Sequence, residues 1–226
     1  MIWQSIGLSL GLIGLIGILI ILPAFLFDVF WRWQIVLLVL SYLIFFSSTI
    51  WRSLKYGKFS DRSQDEQTKS LLGRLALVIA ILGFGSTHWL AIYDFSRLQS
   101  LENHLVNYTL NTIAILLIII AIVLNQVAVR SLGRFFDRLV IKSEHKLLTT
   151  GIYSYIQHPI YTSYIVLFGS FCLLLHSLLS IGLLAVVCLV WFSNRISIEE
   201  KMLSQQFGDE YQAYQQKTKK LLPFVY

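Results

Sequence analysis

The first 27 residues contain no charged side chain, and several further apolar runs follow them. Apolar stretches of this length suit a hydrocarbon core, which takes about 20 helical residues to cross roughly 30 Å. In that medium each backbone N–H and C=O must find its partner inside the chain, so these runs must be helical. Spans are expected at 5–27, 34–51, 75–93 and 106–129, followed by two shorter runs at 160–179 and 181–194. The last is about 14 residues, roughly 21 Å of helix, and does not cross the core alone. The final pair is therefore tilted, or forms a shallow hairpin, or has a second arm that continues into water. The expected fold class is all-α: a polytopic membrane helix bundle of about six membrane segments with a cytoplasmic C-terminal helical cap.

Composition agrees. The chain is 56% hydrophobic and only 13% charged, about half the charged fraction of a soluble domain. The N-terminal run lacks a basic leader and a small-residue cleavage site, so it reads as a retained span rather than a signal peptide. Gly7, Gly11 and Gly14 recur at helical spacing, which suits close packing by another helix. Cys172 and Cys188 lie inside apolar runs and read as buried small hydrophobes. No Cys/His spacing suggests a metal, and no dinucleotide or phosphate-loop glycine motif occurs.

Charge sets the expected orientation. Arg52, Lys55, Lys58, Arg62, Lys69 and Arg74 share one connection. Arg130, Arg134, Arg138, Lys142 and Lys146 share another, and Arg195, Lys201, Lys217, Lys219 and Lys220 lie in the tail. The connections holding Arg32 and Arg97 carry one cation each. The positive-inside rule places the three rich segments, both termini and the intervening chemistry in the cytoplasm. The net charge of +6 is then explained by topology and by attraction to membrane lipids. It makes no case for nucleic acid.

Two regions are expected. Residues 1–129 read as a scaffold of four spans with a polar, solvated cytoplasmic loop at 52–74. His88 and Trp89 sit at the outer end of the third span, where amphipathic rings collect. Residues 130–226 hold the chemistry. Arg130, Arg134 and Arg138 recur every four residues, as on one face of an interfacial helix. Between Gly182 and Phe207 there is no glycine or proline, so helix can continue out of the membrane and stack Trp191, Arg195 and Glu199 on one face. Gly208 fits its C-terminal cap, and a short amphipathic helix follows before Pro223.

Three polar groups then meet at one membrane depth: His145 with its neighbours, His158-Pro159-Ile160-Tyr161, and Arg195 with Glu199 and Glu200. Singly, each has a plain structural reading. His158-Pro159 starts a helix, the tyrosines form an aromatic belt, and Arg195 pairs with Glu199. That last pair has the less favourable order, with the cation N-terminal. Together they read as a functional cluster at a bilayer boundary.

The stretches "HKLLTTGIYSYIQHPIY" and "RISIEEKMLSQQFGDEYQAYQQKTKKLLPF" resemble the isoprenylcysteine carboxyl methyltransferase family over about residues 130–226. Matching positions are His145, Leu147, Gly151, Tyr153, His158, Pro159 and Tyr161, then Arg195, Glu199, Glu200, Leu203, Phe207, Gly208, Tyr211, Tyr214 and Pro223. Gln157 stands where the family has arginine, which removes a fixed cation, and Ser163 where it has glycine. The resemblance implies an integral-membrane enzyme using S-adenosylmethionine. It places His145, Lys146, Leu147, Leu148, Tyr153, His158, Pro159, Ile160, Tyr161, Glu199 and Glu200 at the cofactor. Arg195 then faces the acceptor, and Arg195 and Glu199 carry the catalysis. No metal is implied.

The implied acceptor is amphiphilic or lipid-like and enters from the bilayer. A carboxylate, a phospholipid amine and a phenol all remain open. The competing enzyme class is NADPH-dependent reduction of a lipid or sterol double bond. The non-enzymatic alternative is a membrane scaffold that keeps these residues only for packing.

Overall fold

Helices follow the apolar runs closely in the computed structural model, which describes residues 2–57, 59–60, 65–98, 104–137, 139–140 and 146–221. The first run is α1 (Ile2–Ile16), a π-helical turn (Gly17–Ile21) and α2 (Leu22–Leu26). Pro23 explains the interruption. It has no N–H to offer the preceding turn, and the ladder widens so that Leu22 N–H reaches Gly17 O. Then come α3 (Trp33–Tyr56), the short α4 (Glu66–Lys69), α5 (Leu71–Leu98) and α6 (His104–Leu132). The second half has α7 (Pro159–Leu174), α8 (Leu178–Phe207) and α9 (Asp209–Lys217). Among the described residues, five helices are long and apolar enough to cross a membrane, and α7 is a shorter apolar one. The molecule is an all-α, multi-pass membrane protein.

The final pair resolves into unequal arms. The 16 residues of α7 give about 24 Å, short of a hydrocarbon core. The 30 residues of α8 give about 45 Å, more than the core needs. The second arm therefore continues past the apolar run, as the absence of glycine and proline allowed. Ser177 starts α8 by accepting from Ser180 N–H. Gly208, at φ +50°, stops it and returns its N–H to Ser204 O. That backbone suits glycine, and α9 begins at the next residue.

In the bundle α6 runs along α7 and α5 along α8. The core is aromatic where α3, α5 and α7 meet: Tyr42, Phe45, Phe84, Phe168 and Phe171 pack ring to ring. Polar groups inside it are paired, as a membrane interior requires. Tyr42 Oη lies 2.6 Å from His88 Nε2, and His88 Nδ1 lies 2.6 Å from Phe84 O. A carbonyl only accepts, so Nδ1 carries the proton and Nε2 accepts from the phenol. Ser48 donates to Asn125 at 2.7 Å and Asn125 donates to Ser163 at 3.1 Å, which ties α3, α6 and α7. Ser163 thus uses its hydroxyl where the family pattern has none.

Close approach is seen at Gly83. A Cβ there would stand 2.5 Å from Val187 Cγ2. Gly83→Ala should push α5 from α8 and destabilise the fold by about 1–3 kcal/mol, lowering the thermal midpoint in detergent. Gly14→Ala is the control and should be neutral or slightly stabilising, since its Cβ meets nothing within 4 Å. The expected packing role of Gly7, Gly11 and Gly14 is accordingly not seen, because a Cβ at any of them faces open space among the described residues.

Two other expectations change. The connection after α3 is not simply a solvated loop. Arg52 and Asp137 are paired at 3.3 Å with both side chains 0% exposed. Arg52 also donates to Gly57 O and lies over the Phe59 ring, while Ser60 binds Asp137. Asp65 and Gln67 are buried too. The basic stretch after α6 is not a continuous interfacial helix through Arg138. Gly133, at φ +52°, ends the α-helix, a 3-10 turn covers Gly133–Phe135, and Arg138 lies outside the described residues.

Candidate active site

Pro159 occupies the first turn of α7, where its missing N–H leaves no bond unmade. His158 is therefore held at the helix start, and Tyr161 follows one turn along. On α8, Glu199 and Glu200 sit where the helix has left its apolar run. The two helix ends converge. Tyr161 Oη donates to Glu199 Oε2 at 2.6 Å. His158 Nδ1 is 3.7 Å from Glu199 Oε2 and His158 Nε2 is 3.6 Å from Glu200 Oε1. The His158 side chain is 2% exposed, and its ring stacks on Tyr161 with centroids 5.6 Å apart. The Phe192 ring lies 5.4 Å from Tyr161, tilted by 39°.

Separations of 3.6–3.7 Å are too long for hydrogen bonds. Among the described residues, His158 Nε2, Glu200 Oε1 and Gln157 Oε1 are buried atoms with no hydrogen-bond partner, the first two facing each other at 3.6 Å. Buried polar atoms are normally satisfied, so His158 and Glu200, opposed beyond hydrogen-bond distance, mark a place where a polar ligand belongs.

Arg195 projects from the next turn of α8. Its guanidinium lies over Trp191 at 5.3 Å, within electrostatic reach of Tyr161, Asp65 and Glu199. The connection before α5 supports this turn from the side. Gln67 donates to Asn194 at 2.7 Å and to Gly73 O at 3.0 Å, and Glu66 N–H reaches Leu139 O at 3.2 Å. That polar connection carries no recognisable motif, so its part in the site is visible only in three dimensions.

Tyr153 lies in a 3-10 turn (Gly151–Ser154) and is buried. Burial first, then the negative charge of Glu199, pushes its phenol well above the ordinary value. Burial, then Glu200 and Glu199, pushes Tyr211 of α9 up as well. Both phenols stay protonated at neutral pH, so neither serves as a base. Tyr214 holds the Tyr153 turn by donating to its carbonyl at 2.6 Å.

The remaining expected cofactor positions are less central. Ile160 is half-buried in the first turn of α7. Lys146 is exposed, and Leu147 and Leu148 are half-buried in irregular chain leading to Thr150. His145 lies outside the described residues, as does Pro223.

The chain's last described residues form a strap across this site. Ile156 and Lys219 make an isolated parallel bridge. Gln157 N–H donates to Lys219 O at 2.8 Å and His158 N–H to Lys220 O at 3.0 Å. The Gln157 side chain donates to Thr218 O at 2.8 Å, and Thr162 donates to Leu221 O at 2.6 Å. Lys220 Nζ pairs with Glu200 Oε2 at 3.0 Å. Beside the strap a groove of about 650 Å³ runs along α8, within the usual range of small-molecule sites, about 300–1,000 Å³. Ile165, Cys188, Leu189, Phe192, Ile196 and Leu221 make it largely apolar, Ser193 and Ser197 add hydroxyls, and Glu200 and Lys220 form its charged end. Arg195 is not among its lining residues.

The model of the isoprenylcysteine carboxyl methyltransferase (ICMT) family matches residues 113–205. Protein-S-isoprenylcysteine O-methyltransferase B of Arabidopsis thaliana is 30% identical over 154 residues, covering 67% of this chain and 73% of that protein. A probable protein-S-isoprenylcysteine O-methyltransferase of Oryza sativa subsp. indica is 34% identical over 116 residues. That match covers 50% of this chain and 61% of the rice protein, so the chain spans about six-tenths of that relative's length. A solved structure, described as the eukaryotic intramembrane Ras methyltransferase ICMT without a monobody, aligns over 100% of this chain and 87% of its own, with TM-score 0.49 and 18% identity.

Proposed function

Because this chain belongs to the isoprenylcysteine carboxyl methyltransferase family, we propose that it moves a methyl group from S-adenosylmethionine to the carboxylate of a prenylated, lipid-like acceptor. The observation that carries the reading is the convergence of His158, Tyr161, Glu199 and Glu200, with His158 Nε2 and Glu200 Oε1 lacking hydrogen bonds, beside a largely apolar groove.

When bound, S-adenosylmethionine supplies an electrophilic methyl group on a sulfonium cation. The residues present fit such a group. Glu199 and Glu200 offer carboxylate oxygens to its ammonium, and His158 Nε2 offers a polar contact. Tyr153, Pro159 and Ile160 shape the surrounding wall, with His145 and the Lys146–Leu148 stretch approaching by backbone.

The groove takes the acceptor's apolar tail. Its wall includes Leu189, which is 68% exposed on the outer face of α8, so an amphiphile can enter from the bilayer. A carboxylate acceptor is ionised at neutral pH and needs no base. That fits a site whose buried phenols stay protonated. Arg195 holds the carboxylate by its planar fork. Positioning then supplies most of the rate gain. We further propose that residues 130–226 carry this chemistry, that residues 1–129 scaffold it, and that both termini and the site face the cytoplasm.

The test is incubation of solubilised protein with methyl-labelled S-adenosylmethionine and either a prenylcysteine acid or a membrane lipid extract. Label should appear in a base-labile methyl ester of the acid. Label appearing only in a base-stable lipid amine would overturn the carboxylate assignment.

A further inference from the structure

From the strap and the groove we infer that Lys220 selects acceptors with an anionic head, taking over the cation that Gln157 lacks. The inference rests on the methyltransferase reading above and adds a residue to it. Gln157 does not merely leave a gap. Its amide nitrogen donates to Thr218 O, and its backbone N–H donates to Lys219 O. With the His158 N–H bond to Lys220 O, these contacts fix the strap in register. The residue that replaces the arginine thus helps hold a lysine at the same site.

Charge explains why a lysine is needed there. The groove is largely apolar, with the hydroxyls of Ser193 and Ser197 in its wall, and its charged lining residues among those described are Glu200 and Lys220. Glu200 alone would repel an anionic head arriving along the groove. Lys220 Nζ, 3.0 Å from Glu200 Oε2, offsets that charge. The Lys220 side chain is 39% exposed, so the ammonium can meet a head group without leaving the strap. Arg195 does not line the groove, and Glu199 lies between it and Glu200 on α8. An anionic head leaving the groove for Arg195 therefore starts from Glu200 and Lys220, the charged side chains that line it.

The test uses full-length wild type, Lys220→Met and Lys220→Arg in detergent micelles. Methionine keeps an unbranched stem and every backbone bond of the strap. The probes are S-farnesyl-N-acetylcysteine as acceptor, its methyl ester as a neutral inhibitor, and S-adenosylhomocysteine for the cofactor site. Lys220→Met should raise KM for the acid about tenfold and leave kcat within about twofold, the pattern expected of a groove-edge charge. Inhibition by the ester and affinity for S-adenosylhomocysteine should not change, and Lys220→Arg should restore KM. Equal weakening of acid and ester, or loss of S-adenosylhomocysteine binding, would show that the strap is only structural and overturn the inference. A wild type that binds S-adenosylhomocysteine yet methylates the acid no better than the neutral control also sinks it. A wild type that binds no S-adenosylhomocysteine sinks the methyltransferase reading, and this inference with it.

Discussion

Arg195→Ala should lower turnover by about two to three orders of magnitude while S-adenosylhomocysteine binds nearly as before. The expectation follows from where the side chain sits. Arg195 lies over Trp191, one turn before Glu199 on α8, with Tyr161, Asp65 and Glu199 as its electrostatic partners. The unpartnered atoms proposed for the cofactor belong to other residues. Arg195→Lys should recover little, because an ammonium cannot reproduce a planar two-pronged grip. The measurement is kcat and KM with a prenylcysteine acid, alongside calorimetry with S-adenosylhomocysteine. A large loss of S-adenosylhomocysteine affinity would show that Arg195 serves the cofactor instead.

The second large effect is on stability. Arg52→Ala or Asp137→Ala should each destabilise the protein by about 3–5 kcal/mol, since removing one partner strands a buried charge. Both side chains are fully buried, and the pair joins α3 to the chain after α6. Thermal unfolding in detergent should fall by roughly 10 °C. The double variant Arg52→Met with Asp137→Leu should recover much of the loss, because it leaves no charge unpaired. A double variant as unstable as the singles would mean that the bonds to Gly57 O and Ser60, not the ion pair, hold this corner.

These two residues also show what was legible in the sequence. Arg52 reads as one of several cations marking a cytoplasmic loop, because nothing local links it to Asp137, 85 positions away. Gln67 joins Asn194 across 127 positions and is equally silent. The strap belongs with them, since its partners at 156–158 lie some 60 residues upstream. Features governed by local backbone rules were readable. The uninterrupted run from Gly182 to Phe207 announced a long α8, and Gly208 announced its stop. The basic stretch after α6 misleads because a four-residue spacing of arginines suits one face of a helix. Gly133 breaks it with a backbone conformation that spacing alone does not reveal. At the site, His158, Tyr161, Glu199 and Glu200 were recognisable by spacing, and the structure brings them within contact. Lys220 and Phe192 were not, because each matters only through what the folded chain places beside it.

The most direct measurement is calorimetric titration of detergent-solubilised protein with S-adenosylhomocysteine and, separately, with NADPH. The site described here predicts saturable S-adenosylhomocysteine binding that Glu199→Gln weakens by about tenfold or more, and no binding of NADPH. Binding of NADPH without S-adenosylhomocysteine would contradict the account.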